Sequence, residues 1–162
     1  MILKSPQTAS DKMAVLSKSE LEKAAAIAEV KPGSRWNDPH QAALQVLAQG
    51  FIDLGLCRGS VDEVLESEDY KRFYMHRTGH WLGMDVHDAG EYKQQGEWRE
   101  LQPGMVLTVE PGCYIRPADN VSEHFWNIGI RIEDDVVVTP SGHELLTEAA
   151  PKTIVAIEEL MQ

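Results

Sequence analysis

Apolar and polar positions along the 162-residue chain change their rhythm once, near Tyr70. Upstream the rhythm is helical. Ser19, with Glu22 three positions on, has the form of a capping box, and the strong helix formers of LEKAAAIAEV run from it to a stop at Pro32-Gly33. A second start lies at Asp38-Pro39, with Gln41 completing a box and Pro39 in the first helical position. Ala42, Ala43, Val46, Leu47, Ile52 and Leu54 recur at roughly helical spacing toward Gly55, a residue suited to ending a helix, while Gly50 weakens it. Ser60 heads a shorter turn, SVDEVLES, and residues 1–18 have no clear period and read as a tail or adapter.

Downstream, MVLTVEPG, NIGIRIEDD and DVVVTPSG are β-branched runs with partial alternation, bounded by Pro and Gly. Asp134-Asp135 suggests a tight reversal between two of them. APKTIVAIEELM then begins a last helix at Pro151, with Ile154, Ile157 and Leu160 or Met161 on one face. Helices, then strands, then a closing helix, without internal repeats, predict one α+β domain over residues 19–162.

Composition narrows the partners more than the fold. Hydrophobic residues make up 43% and charged residues 25%, which suits a globular chain able to bury a core. The formal net charge is −11 and no basic cluster exceeds Lys71-Arg72, so nucleic acid and anionic membrane would both repel the chain. Cys57 and Cys113 form no CxxC pair, which argues against a thiolate zinc site or a disulfide framework and for a reducing compartment. The apolar start is too short for a signal peptide, and no apolar run approaches the roughly eighteen residues of a membrane span, so the expectation is cytoplasmic.

Three short stretches carry candidate chemistry. HRTGHWLGMDVHD places His76, His80 and His87 beside two aspartates, and imidazole nitrogens with carboxylate oxygens bind divalent metals. The spacing does not match HExxH, so three ordinary loop histidines remain an alternative. Glu110 ends the apolar run of LTVEPG, where a lone buried charge would cost several kcal/mol; an exposed strand end is the bland alternative. In NIGIRIEDD, Arg131 and Glu133 alternate with Ile128, Ile130 and Ile132, so guanidinium and carboxylate share one strand face and the first could orient the second. A surface ion pair would look the same. Together, one His and two Glu make a hard ligand set suited to Mn²⁺, Zn²⁺, Co²⁺ or Fe²⁺ and to hydrolysis.

The stretches HRTGHWLGMDVHDAG, LQPGMVLTVEPGCYI and NIGIRIEDDVVVTPSGHELLT, in that order, resemble the back half of the bacterial Xaa-Pro aminopeptidases, members of the pita-bread metallopeptidases. The resemblance runs from about Ser19 to the C-terminus. It implies a partial pita-bread fold, a curved and mostly antiparallel sheet with outer helices. It further implies that His80 binds one of two metals, that Glu110 binds metal and serves as general base, and that Glu133 bridges both ions. His76 and His87 would line the substrate pocket, and Arg131 would orient its neighbours. The implied cofactor is Mn²⁺ and the implied reaction is removal of an N-terminal residue that precedes proline from a peptide substrate.

One part of the pattern is missing. The resemblance implies five protein ligands, two of them aspartates upstream of the first helix, and here only three have counterparts. Asp11 and Glu22 have the right separation, but Glu22 falls in a predicted helix. The chain is therefore expected to be a fragment, inactive alone, exposing a sheet edge and a concave apolar surface that favour a homo-oligomer. A prolidase fragment acting on Xaa-Pro dipeptides, and a non-catalytic peptide-binding module, are the alternatives.

Overall fold

A computed structural model describes residues 6–162. The first helix, α1 (Pro6–Ala28), runs straight through Ser19, so the capping box expected there does not form. A helix that continues upstream already serves the backbone N–H groups a cap would satisfy, and both side chains turn into the core instead. The stretch read as a tail is thus helical from Pro6; residues 1–5 lie outside the described residues. Glu22 is fully buried, and among the described residues neither of its carboxyl oxygens has a hydrogen-bond partner. Burial pushes its pKa up to about 8, the Ser19 hydroxyl pulling the other way.

The second helix, α2 (Asp38–Asp53), packs along α1. Asn37, not Asp38, takes the capping position; the Asp38 carboxylate instead accepts a hydrogen bond from the Arg35 amide at 2.7 Å. Its buried face is Ala43, Leu44, Leu47, Ala48 and Phe51; of the expected set only Ala43 and Leu47 are buried, while Ala42, Val46, Ile52 and Leu54 are partly so. Gly50 has a packing role, since a Cβ there would lie 3.4 Å from the Lys18 stem on α1. Gly55 takes φ +71° just past the helix and ends it as expected. The short α3 (Val61–Glu66) carries a complete capping box between Ser60 and Glu63.

All strand pairs are antiparallel. A small hairpin, β1 (Lys93–Gln94) with β2 (Glu97–Trp98), precedes the strands that matter here: β3 (Val106–Val109), β4 (Gly112–Ile115), β5 (Ile128–Arg131), β6 (Asp134–Thr139) and β7 (Gly142–Leu145). β3 pairs with β6, β6 with β7, and β4 with β5. Asp134-Asp135 makes no reversal: the pair opens β6, and the chain changes partner from β4 to β3 at Ile132-Glu133 just before it. Alternation sends Leu107, Val109, Val136 and Val138 into one apolar cluster with Val30 and Trp36, and Cys113, Ile115 and Ile128 into another with Leu47 and Phe51 of α2.

The closing helix, α4 (Ile154–Leu160), starts later than Pro151 because Thr153 caps it, its hydroxyl accepting from the Ala156 amide. The apolar face expected there stays open: Ile157, Leu160 and Met161 are exposed. Among the described residues no helix is long and apolar enough to cross a membrane.

Candidate metal centre

Residues 78–82 lie in extended form along the free edge of β3. The Glu110 amide donates to the Thr78 carbonyl at 2.7 Å, Thr108 N–H to His80 O at 3.0 Å, and Leu82 N–H to Val106 O at 3.1 Å. Gly79 permits this approach: a Cβ on it would sit 2.0 Å from the Thr108 carbonyl oxygen. His80 is thereby delivered beside Glu110, its Nε2 3.3 Å from Oε1.

The two glutamates meet for a different reason. Val109 pairs with Asp134 in one ladder and Gly112 with Arg131 in the other. Two residues intervene on each side, so the register is unbroken and Glu110 falls opposite Glu133 in the gap between the ladders. Like charges facing each other across strands repel. Burial, then the charges of Glu110 and Asp135, push the Glu133 pKa up, while His80 and Arg131 pull it down. Among the described residues, one ligand atom from each of His80, Glu110 and Glu133 lies within 4.8 Å of the others.

The surrounding hydrogen bonds orient these groups. His80 Nδ1 lies 2.9 Å from the Trp81 carbonyl, and donating there leaves the Nε2 lone pair facing the carboxylates. Glu110 is buried, which removes the exposed strand-end alternative. Its Oε1 accepts from the Thr108 hydroxyl at 3.2 Å, and its Oε2 forms an ion pair with Arg131, Nη1 lying 3.1 Å away. Arg131 was expected to orient Glu133 on its own face; its guanidinium instead reaches across the ladder to Glu110. Glu110 is the diagonal cross-strand neighbour of Arg131, two positions before Gly112, and lies within reach of a side chain as long as arginine's.

His76 and His87 flank this group. The His87 ring packs edge-on against that of His80, centroids 4.2 Å apart, and is exposed. His76 Nδ1 lies 2.8 Å from the Arg77 carbonyl, and its Nε2 lies 3.0 Å from the Tyr114 hydroxyl. That hydroxyl accepts from Arg131 Nε at 2.7 Å, so Tyr114 ties His76 to Arg131 and through it to Glu110. Tyr114 and Thr108 were missed in the sequence. Strand alternation could have found both, since Thr108 lies two positions before Glu110 and Tyr114 two beyond Gly112, which pairs with Arg131.

The donor set fits a divalent ion. Ligands about 2.0–2.2 Å from a shared metal lie roughly 3–4 Å apart, and one imidazole nitrogen with two carboxylates suits a hard or borderline cation. A cation between Glu110 and Glu133 would also relieve their mutual repulsion.

Comparison with known proteins identifies the family. Residues 10–140 match the model of metallopeptidase family M24. An Xaa-Pro aminopeptidase of Haemophilus influenzae is 46% identical over 136 residues, covering 84% of this chain and 31% of that protein. An Xaa-Pro dipeptidase of Rattus norvegicus is 40% identical, over 82% of this chain and 32% of its own length. The solved structure of Pseudomonas aeruginosa aminopeptidase PepP superposes with a TM-score of 0.91 at 51% identity, covering 97% of this chain and 35% of that one. The chain spans about a third of the length of these relatives. On the matched residues and on these relatives, the chain belongs to metallopeptidase family M24.

Proposed function

We propose that this chain is the C-terminal part of the catalytic domain of a proline-specific metallo-aminopeptidase, supplying three of the metal ligands: His80, Glu110 and Glu133. The observation that carries the reading is Glu110 facing Glu133 across one antiparallel register with His80 Nε2 beside them. Mn²⁺ is the proposed ion, and when bound it supplies the Lewis-acid chemistry of peptide hydrolysis. The chain's own residues then divide the work. In this reading Glu110, steadied by Thr108 and Arg131, takes a proton, and His76 and His87 line the approach and donate to a carbonyl oxygen. The substrate is a peptide with proline in second place, whose missing N–H and fixed φ call for a dedicated site. The proposed compartment is the cytoplasm, where Cys57 and Cys113 stay free thiols.

Titration of the metal-free chain with Mn²⁺ by calorimetry tests the reading. Binding is expected, and Glu110→Ala and Glu133→Ala should each weaken it by more than about tenfold. Heat indifferent to both substitutions would remove the site. Self-association belongs to the same reading, supported by the exposed Val155, Leu160 and Met161; sedimentation showing a monomer at all concentrations would exclude it.

Similarity to a dipeptidase of comparable identity favours a second reading, a prolidase part. Hydrolysis of Xaa-Pro-Xaa without Xaa-Pro by a full-length relative separates the two. A binding module without turnover would show peptide binding and no hydrolysis in either assay.

A further inference from the structure

The carboxylate of Asp134 lies on the opposite side of β6 from the site, one residue past Glu133 and paired in the ladder with Val109, the residue before Glu110. It is buried and is met by three side chains, one from α1 and two from the segment after β7. Lys23 of α1 forms an ion pair with Oδ2 at 2.8 Å; the Thr147 hydroxyl donates to Oδ1 at 2.7 Å; Lys152 also bonds Oδ1. Lys152 further donates to the Thr147 carbonyl at 2.8 Å, and Thr147 Oγ1 accepts from the Asp135 amide at 3.1 Å. Burial would raise the Asp134 pKa, but the donors Lys152, Lys23 and Thr147 outweigh it and hold the carboxyl below its usual range.

Two facts give this knot a role beyond packing. The Thr108 hydroxyl and the Arg131 guanidinium engage Glu110 rather than Glu133, so the backbone sets where the Glu133 carboxylate sits. Asp134 is the next residue of that backbone, and its rung with Val109 adjoins the Glu110–Glu133 position. Thr147 and Lys152, moreover, lie past residue 140, beyond the part of the chain that the family model matches.

We propose that Lys23, Thr147 and Lys152, closing on Asp134, are positioning residues for the Glu110–Glu133 pair, so that the segment after the sheet sets the spacing of the metal-facing carboxylates. The clamp itself stands on the ion pair and hydrogen bonds above; its effect on metal rests on the function proposed for the site.

The test uses the full chain and two readouts, Mn²⁺ affinity by calorimetry and the Glu133–Glu110 spacing in crystal structures of metal-free protein. Lys152→Met and Asp134→Asn are expected to weaken Mn²⁺ binding about tenfold, as loss of an outer partner commonly does. They should also move Glu133 by about 1 Å, enough to spoil a shared site. Lys152→Arg should restore affinity to within a few-fold, and Ser60→Ala, a cap lost far from the clamp, should leave it unchanged. Unaltered affinity in Lys152→Met with Glu133 in place overturns the proposal, as does an equal loss in Ser60→Ala. If the unmodified chain takes up no Mn²⁺, the metal reading fails and the spacing alone decides: a displaced Glu133 supports the clamp, an unmoved one overturns it. Should the charge variants not fold, Thr147→Val removes one donor and is judged by the same two readouts.

Discussion

Glu22→Leu is expected to stabilise the protein by about 3 kcal/mol or more at pH 8, while leaving it little changed at pH 4. The carboxyl is fully buried with both oxygens unpartnered among the described residues, and burial pushes its pKa from 4.5 up to about 8. A carboxyl whose pKa is raised by folding contributes its full stability below about 4.5, where both states hold the proton. As pH rises through the window from 4.5 to 8, the unfolded chain releases the proton and the folded chain keeps it, so stability falls; above 8 the penalty is constant. A shift of this size corresponds to roughly 3–5 kcal/mol. Leucine has similar volume and nothing to ionise. Urea unfolding of both proteins at pH 4, 6 and 8.5 checks this. Curves for the two proteins that stay parallel across the window would show that Glu22 has a partner in solution or is hydrated.

Gly79→Ala is expected to cost about 3 kcal/mol or more and to weaken Mn²⁺ binding together with it. The added methyl would lie 2.0 Å from the Thr108 carbonyl oxygen, a backbone atom held within the β3–β6 ladder and unable to rotate away. The strip must therefore lift, breaking the bonds from the Thr108 and Glu110 amides to His80 and Thr78 and withdrawing the His80 ring from Glu110. Gly96→Ala, at a turn with φ +88° and open space around it, strains only the backbone and should leave the affinity unchanged. Equal metal affinity in Gly79→Ala and the unsubstituted chain would show that the edge strip does not place His80.

The sequence carried the chemistry better than the shape. His80, Glu110 and Glu133 were legible as candidates because each stands against a rhythm, a charge closing an apolar run or an imidazole between glycines, and the fold brings one ligand atom of each within 4.8 Å of the others. The strand runs were legible from β-branched alternation. Ser60 and Gly55 were legible because capping chemistry is local. What depends on distant contacts was not. Ser19 looks like a cap until one sees that α1 continues upstream and buries it. Arg131 shares a face with Glu133 in the sequence pattern, yet its partner is chosen by a ladder that no local pattern encodes. Asp134-Asp135 looks like a turn because both residues are polar, and it is a strand because Lys23 and Lys152 neutralise Asp134 from far along the chain.

The unbroken register across the two ladders has a consequence for how such a site can diverge. Glu110 and Glu133 are neighbours because they are counted from the same rungs, and the chain between Ile115 and Ile128 enters that count nowhere. Lengthening or shortening that excursion leaves the pair face to face, whereas inserting a single residue between Arg131 and Asp134 would turn Glu133 to the other side of the sheet. The gap in sequence separating the two glutamates is thus free to drift among relatives while the short distances on either side of each are not. A search for this centre should fix LTVE and RIED as separate words and let the space between them vary.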